Sequence, residues 1–337
     1  MTGQDVLTVA DLRVEFGRGS GRKLTAVDGV SLALRQGQTL ALVGESGSGK
    51  STLVKALGRL LRPADGRIQL AGRPVRRGWS GLRAYRRSVQ LVFQDPFASL
   101  NPMHTVDHHL RRPLRLQPGA PRGAALTEAV HELLRSVNLT PAQDYAGKYP
   151  HELSGGQRQR VAIARALAPD PDVLLADEPV SMLDVSIRLE ILNLLDRLKR
   201  DRNLALLYVT HDLATARHFA AEIMVMYRGE IVEHGPSDEV ILNPAHPYTQ
   251  LLASAAPDPS LSRQQLATAR HTRRVARADR SAENRESAPD TGCRFRGRCP
   301  YAMDRCAQRP PALVARPGHT ARCWLLTEEN PDPTRPT

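Results

Sequence analysis

Gly44-Glu45-Ser46-Gly47-Ser48-Gly49-Lys50-Ser51 decides how this chain is read. The stretch follows a short apolar run, Thr39–Val43, that reads as a buried strand, and it leads into a helical pattern over 51–61. Strand, glycine-rich loop and helix are the context in which such a loop binds phosphate. The glycines let the backbone wind so that successive N–H groups face phosphate oxygens, and the helix N-terminus adds partial positive charge. Lys50 would then reach the β- and γ-phosphates, and the Ser51 hydroxyl would bind Mg²⁺. A merely flexible glycine loop would need neither the flanking strand nor the flanking helix.

Working outward, Val173-Leu174-Leu175-Ala176 runs directly into Asp177-Glu178, so a buried strand delivers two carboxylates to its C-terminal edge. Asp177 suits the Mg²⁺ shell, and Glu178 suits polarising an attacking water. Alone, an acidic pair after a strand is most often a helix cap; beside the loop it reads as the hydrolytic half of a site. Leu153-Ser154-Gly155-Gly156-Gln157 opens the helical pattern 158–167 and makes a second anion-binding helix N-terminus. One nucleotide has no use for two such sites on one chain.

The rest of the chain sets the frame. Its 337 residues, 41% hydrophobic, suffice for a buried core and suggest about two domains. Further strand candidates at 89–93, 205–210 and 222–226 alternate with helical patterns, which implies an α/β layout with a mostly parallel sheet. Residues 99–153 break the rhythm: Leu126, Val130, Leu133, Leu134 and Val137 fall at helical spacing within 124–137, which predicts a small helical insertion. No apolar run approaches the roughly 18 residues a spanning helix needs, and the N-terminus, with Asp5, Asp11 and Glu15, does not look like a secretory signal. No internal repeat is visible.

The net charge of +12 is concentrated. Between 261 and 323 there are 14 Arg and no Lys against 5 acidic residues, and residues 257–289 read as an Arg-rich linker or a solvated helix. Aromatic residues are missing from 270–285, so no base-stacking platform is indicated and no nucleic-acid partner is expected. All four cysteines lie late, at Cys293, Cys299, Cys306 and Cys323. In a reducing compartment disulfides are disfavoured, so a metal site competes with isolated buried thiols. Four thiolates suit zinc or a [4Fe-4S] cluster, whose negative charge Arg294, Arg296, Arg298 and Arg305 could offset. His104, His108 and His109 have a metal-compatible spacing, but surface or subunit-contact histidines are the plainer reading.

The loop, the acidic pair and the Leu153-to-Gln157 signature occur in the order found in ATP-binding cassette ATPases, and the chain resembles that family. Gln94 looks like the family's Q-loop glutamine, Asp184 in Ser181-Met182-Leu183-Asp184 lies in the D-loop, and His211 after the strand 205–210 is similar to the switch histidine. Phe16 resembles the aromatic that stacks on adenine, although a lone Phe so placed is more often core. The resemblance implies a P-loop NTPase cassette with an N-terminal antiparallel β subdomain, a helical subdomain at about 99–153 and a small C-terminal cysteine module. The corresponding domains are 1–256, 257–289 and 290–330. It implies ATP and Mg²⁺ as cofactors and catalytic roles for Glu178, His211 and Gln94. The nucleotide contacts would come from Phe16, Gly44, Ser46, Gly47, Gly49, Lys50, Ser51, Thr52, Gln94 and Asp177, and across a dimer from Ser154, Gly155, Gly156, Gln157 and Asp184. Ser51, Gln94 and Asp177 would surround the Mg²⁺.

Within the family, 94–102, the run Asn243-Pro244-Ala245-His246-Pro247-Tyr248-Thr249 and the late cysteines resemble the dipeptide, oligopeptide and nickel importer subgroup, whose tails favour the iron-sulfur cluster over zinc. The implied partners are two membrane permease subunits, a second ATPase subunit, identical or homologous, and indirectly an extracellular solute-binding protein. The implied location is peripheral, on the cytoplasmic face of the cell membrane. The competing function is a soluble cassette ATPase acting on nucleic acid or ribosomes.

Overall fold

The structure, a computed structural model, describes residues 4–17, 23–75, 78–255 and 291–327. The Arg-rich stretch 257–289 lies outside the described residues, as does the end of the tail from 328. The contacts divide the chain into two units, one drawn from 1–40 and 51–210, the other from 41–50 and 211–337.

The first unit opens with β1 (Asp5–Phe16) and β2 (Leu24–Arg35), takes the first two residues of β3 (Thr39–Val43), resumes at the second residue of α1 (Lys50–Leu57), and continues with β4 (Asp65–Leu70) and β5 (Arg73–Pro74). These make the antiparallel sheet β2-β1-β4-β5. Leu7, Val9, Leu12 and Val14 of β1 are buried against Val27, Val30, Leu32 and Leu34 of β2. Gly66, at φ 96°, passes so close to β1 that a Cβ there would sit 2.6 Å from the Asp11 carbonyl oxygen, which only glycine avoids. The helix expected over 51–61 stops at Leu57. Arg59 turns left-handed at φ 56° and the Leu60 N–H closes on the Lys55 carbonyl at 2.8 Å.

After α2 (Trp79–Ser88), three parallel strands follow: β6 (Val89–Val92), β7 (Val173–Asp177) and β8 (Ala205–Thr210), paired Val89↔Val173 and Val173↔Ala205. Every residue of β7 and β8 is buried, which is why both read as unbroken apolar runs. The interval between β6 and β7 is helical, as expected: α3 (Pro96–Ser99), α4 (Val106–Arg115), α5 (Gly123–Ser136), α6 (Ala142–Ala146) and α7 (Gly155–Leu167). In α5, Leu126, Val130, Leu133 and Leu134 are buried on one stripe. Each such side chain contributes about 1.5–3 kcal/mol on burial, so packing holds a helix too short to persist alone. The long α8 (Val185–Asp201) follows β7 and buries Ile191, Leu192, Leu194, Leu195 and Leu198.

The second unit contains the end of β3, then α9 (Leu213–Phe219), β9 (Glu222–Tyr227), β10 (Glu230–Pro236), α10 (Ser237–Leu242), α11 (Pro247–Ala255), β11 (Leu313–Arg316) and β12 (His319–Ala321). Its strands run in the order β11-β12-β10-β9-β3. The β9–β10 hairpin turns on Arg228 and Gly229, both at positive φ (44° and 89°), the two-residue turn that matches strand twist. The cysteine-bearing tail expected over 290–330 supplies β11 and β12 to this sheet. β12 pairs with β10 (Glu233↔Ala321, His234↔Thr320), so the tail extends an existing sheet. Buried Glu233 secures that extension: it accepts from Ala245 N–H at 2.8 Å, His246 N–H at 2.9 Å and His319 Nε2 at 2.6 Å. The pairing works because the carboxylate has lost water and needs every acceptor position filled.

Candidate active site

The first unit gathers four of the expected residues at the C-terminal ends of its parallel strands, where such sheets place ligands. Asp177 is the last residue of β7, Glu178 follows it, Gln94 lies just beyond β6, and Ser51 is in α1. Ser51 Oγ donates to Asp177 Oδ1 at 3.1 Å, and Gln94 Nε2 donates to Glu178 Oε2 at 3.2 Å. A hydroxyl beside a buried carboxylate fits the oxygen chemistry of Mg²⁺. Glu178 sits at φ 46°, with its N–H donating to the Val209 carbonyl at 3.0 Å. A left-handed non-glycine residue costs of order 1–3 kcal/mol and concentrates at functional sites. Here it turns the carboxylate away from the line of β7.

In the second unit the loop is wound as its sequence requires. Gly47 and Gly49 adopt φ 80° and 107°, and a Cβ on Gly44 would lie 2.2 Å from the Met226 carbonyl oxygen. Lys50, 5% exposed, donates from Nζ to the Gly44 carbonyl at 2.7 Å and the Glu45 carbonyl at 2.9 Å, so its ammonium is held across the loop. Ser46 and Gly47 are exposed at the tip, and Thr52 follows Ser51 in α1. His211 is exposed and follows β8 directly.

The signature residues fold as a helix start. Ser154 caps α7, accepting from Gln157 N–H while Gln157 Oε1 accepts from Ser154 N–H at 2.9 Å. Gly156 packs so tightly on α8 that an added Cβ would meet Ile187 Cγ2 at 2.8 Å, and Gly155 faces Leu183. Asp184 is the N-cap residue of α8 and is exposed, with exposed Met182, Val185 and Leu189 around it. Phe16 ends β1 at 41% exposure, so it is not the core residue that its type suggests by default.

Residues 27–181 match the family model described as ABC transporter, and residues 232–306 match the oligopeptide/dipeptide transporter C-terminal region. The chain is 40% identical over 322 residues, 95% of either chain, to the putative oligopeptide transport ATP-binding protein YkfD of Bacillus subtilis (strain 168). It is 39% identical over 333 residues, 94% of this chain and 95% of the other, to the oligopeptide transport ATP-binding protein OppF of Salmonella typhimurium. The chain belongs to the ABC transporter family. It is an ATP-hydrolysing cassette, and its fold agrees with solved ones. MJ0796, solved as a dimer in a post-hydrolysis state bound to ADP and Pi, is 31% identical with a TM-score of 0.62, covering 68% of this chain and 98% of that one. CbiO1 of Clostridium perfringens, part of the transporter complex cbiONQ, is 28% identical with a TM-score of 0.63, covering 71% and 92%.

Away from the nucleotide motifs, the fold brings the chain's four cysteines to one place. Cys293, Cys299, Cys306 and Cys323 line one cavity, with His246, Phe295 and Trp324 among its walls, yet the space amounts to about 10 Å³. That is one water's worth. Among the described residues no three His, Cys, Asp or Glu side chains are grouped to hold a metal ion. Burial pushes the Cys293 thiol up to about 11 and the Cys323 thiol to about 12, and raises Cys299 as well. In the histidine trio, His104 stacks on His108 with ring centroids 4.0 Å apart while His109 Nε2 contacts the Asn101 carbonyl at 3.0 Å.

Sequence reasoning missed the parts that two residues play around the loop and one plays in the tail. Arg298 forms a two-pronged ion pair with Glu45 at 2.9 and 3.1 Å, and Tyr248 accepts from the Glu45 N–H at 2.8 Å. Burial would pull the Arg298 guanidinium down, but hydrogen bonding to Glu45 outweighs it and the group stays firmly charged. Glu233 is the third, the anchor of the tail. The run 243–249 was noticed only as a resemblance, and the buried hydrogen bonds of His246 and Tyr248 supply its physical purpose.

Proposed function

We propose that this chain is the ATP-driven motor subunit of an importer for dipeptides, oligopeptides or a related solute, docked on the cytoplasmic face of the membrane. The observation that carries the reading is the pair of contacts Ser51–Asp177 and Gln94–Glu178 at the ends of β6 and β7. The names of its relatives, oligopeptide transport ATP-binding proteins, supply the solute class. The competing function on nucleic acid or ribosomes has no such support, because 232–306 match a peptide-transporter region.

In this reading the loop N–H groups and Lys50 hold the triphosphate, and Ser51, Asp177 and Gln94 surround its Mg²⁺. Glu178 orients and polarises the attacking water, with His211 at the γ-phosphate and Phe16 against the adenine. Ser154, Gly155, Gly156, Gln157 and Asp184 of one copy close over the nucleotide of a second cassette subunit. The dimeric MJ0796 structure and the exposed apolar residues Met182, Val185 and Leu189 support that role. Among the described residues no helix is long and apolar enough to cross a membrane, so transport needs permease partners, two by the resemblance, reached through the helical insertion. A solute-binding protein would act through those permeases.

The decisive experiment deletes the gene and measures uptake of labelled di- and tripeptides. Loss of uptake, restored by the wild-type chain but not by Glu178→Gln, is the expected result; unchanged peptide uptake overturns the solute class.

For the tail, we propose that the four thiols take up one metal centre, a [4Fe-4S] cluster by the resemblance. Their common cavity supports a shared site, and its small size favours the alternative of a single zinc ion. Either would draw the sulfurs together and release their protons, so loading strengthens as pH rises. Brown, anaerobically purified protein with iron and sulfide in equal amounts is the expected result. Colourless protein with stoichiometric zinc selects zinc, and active protein with neither metal overturns the proposal.

A further inference from the structure

The stretch between Cys293 and Cys299 holds the phosphate-binding loop. Arg298, its side chain 8% exposed, donates from Nη1 and Nη2 to both oxygens of Glu45, the second residue of the loop. Its guanidinium is boxed by aromatic rings, 5.7 Å from the centroid of Phe295 and 5.9 Å from that of Tyr227. Tyr248, 4.5 Å from Tyr227 and 5.5 Å from Phe295, receives the Glu45 N–H. A second tie reaches the loop's middle. Gly229 in the β9–β10 turn donates to the Ser48 carbonyl at 2.8 Å. The tail grips that same turn, Arg294 bonding the Arg228 carbonyl, and Arg294 and Arg309 pairing with buried Glu230 at 2.9 and 2.8 Å.

Two consequences follow from the charges. A loop that binds phosphate through backbone N–H groups works only while those groups share one focus, and Glu45 and Ser48 are the points at which its winding is fixed from outside. An unmasked carboxylate at Glu45 would repel an incoming triphosphate, and the Arg298 pair cancels that charge. We propose that Arg298 is a positioning residue for ATP binding, and that the cysteine-bearing tail thereby sets the cassette's affinity for ATP. The inference rests on the reading of 44–51 as the nucleotide loop. It adds that a segment outside every nucleotide motif controls it.

The test measures ATP binding and steady-state hydrolysis on the full chain, for the wild type, Arg298→Ala, Arg298→Ala with Glu45→Gln, and Lys50→Ala. Arg298→Ala is expected to raise the KM for ATP about tenfold, the scale of a lost charged hydrogen bond, with a smaller effect on kcat. Adding Glu45→Gln should recover most of that loss, which a general structural weakening would not allow. An unchanged KM in Arg298→Ala, or no recovery with Glu45→Gln, overturns the clamp. Lys50→Ala separates the two ideas: ATP binding lost there but intact in Arg298→Ala sinks only the clamp, while full binding in Lys50→Ala sinks the nucleotide loop itself.

Discussion

At the scale of single residues, the proposed roles of Lys50 and Glu178 predict replacements that differ. The Lys50 ammonium is buried and bonded to two loop carbonyls, contacts that the proposed role would exchange for phosphate oxygens. Lys50→Ala should lower ATP affinity by about 100-fold, two or so charge-assisted hydrogen bonds' worth, as read by fluorescent-nucleotide titration. Glu178 instead lies in a left-handed turn with its carboxylate on Gln94. Glu178→Gln preserves shape while removing the carboxylate that the proposal makes the base, so hydrolysis should fall about 10²–10⁴-fold with ATP binding retained. An undiminished turnover number would take Glu178 out of catalysis.

At the scale of elements, α4 shows how a contact changes the meaning of a residue. Arg111 and Arg112 look alike in sequence, yet Arg111 binds both Asp107 oxygens at 2.7 Å and Thr127 Oγ1 at 3.1 Å, tying α4 to α5, while Arg112 is exposed. Arg111→Ala should therefore lower stability by about 1–2 kcal/mol in urea unfolding. Arg112→Glu should leave stability and basal ATPase activity alone and weaken co-purification with permeases; intact co-purification would move the docking surface elsewhere.

The start of α11 carries a pH dependence. Burial holds the His246 imidazole down at about 4, partly opposed by the Glu233 carboxylate, and its Nδ1 accepts the Tyr248 N–H, which requires the neutral ring. A group with a depressed folded pKa stabilises above its unfolded value, near 6.5, and that stability drains as pH falls toward 4. Thermal unfolding at pH 7 and pH 5 should show this loss in the wild type and a flatter profile in His246→Asn.

For the whole molecule, the expectation concerns assembly. If the signature helix start closes over the loop of another cassette as proposed, the site is completed only with a second copy or a relative. Glu178→Gln in Mg²⁺ and ATP should elute as a dimer and return to monomer in ADP. A chain that stays monomeric in ATP would mean that its partner is a different cassette or that the permeases are needed to hold the pair.

The family was legible without a structure because its motifs are local. A phosphate loop is built from the N–H groups of consecutive residues, the carboxylates stand directly after an apolar strand, and the α5 stripe repeats every three or four positions. These patterns survive in one dimension. The tertiary structure alone decided what depended on distant partners. Glu45 and Arg298 are separated by 253 positions, and nothing in either neighbourhood announces the pair. Cysteine intervals of five, six and sixteen residues suggested a ligand set, but only the fold brings the four side chains around one small cavity. Which charges meet is settled by which strands pair. Here that means β12 on β10, which secures the tail to the same hairpin whose turn holds Ser48.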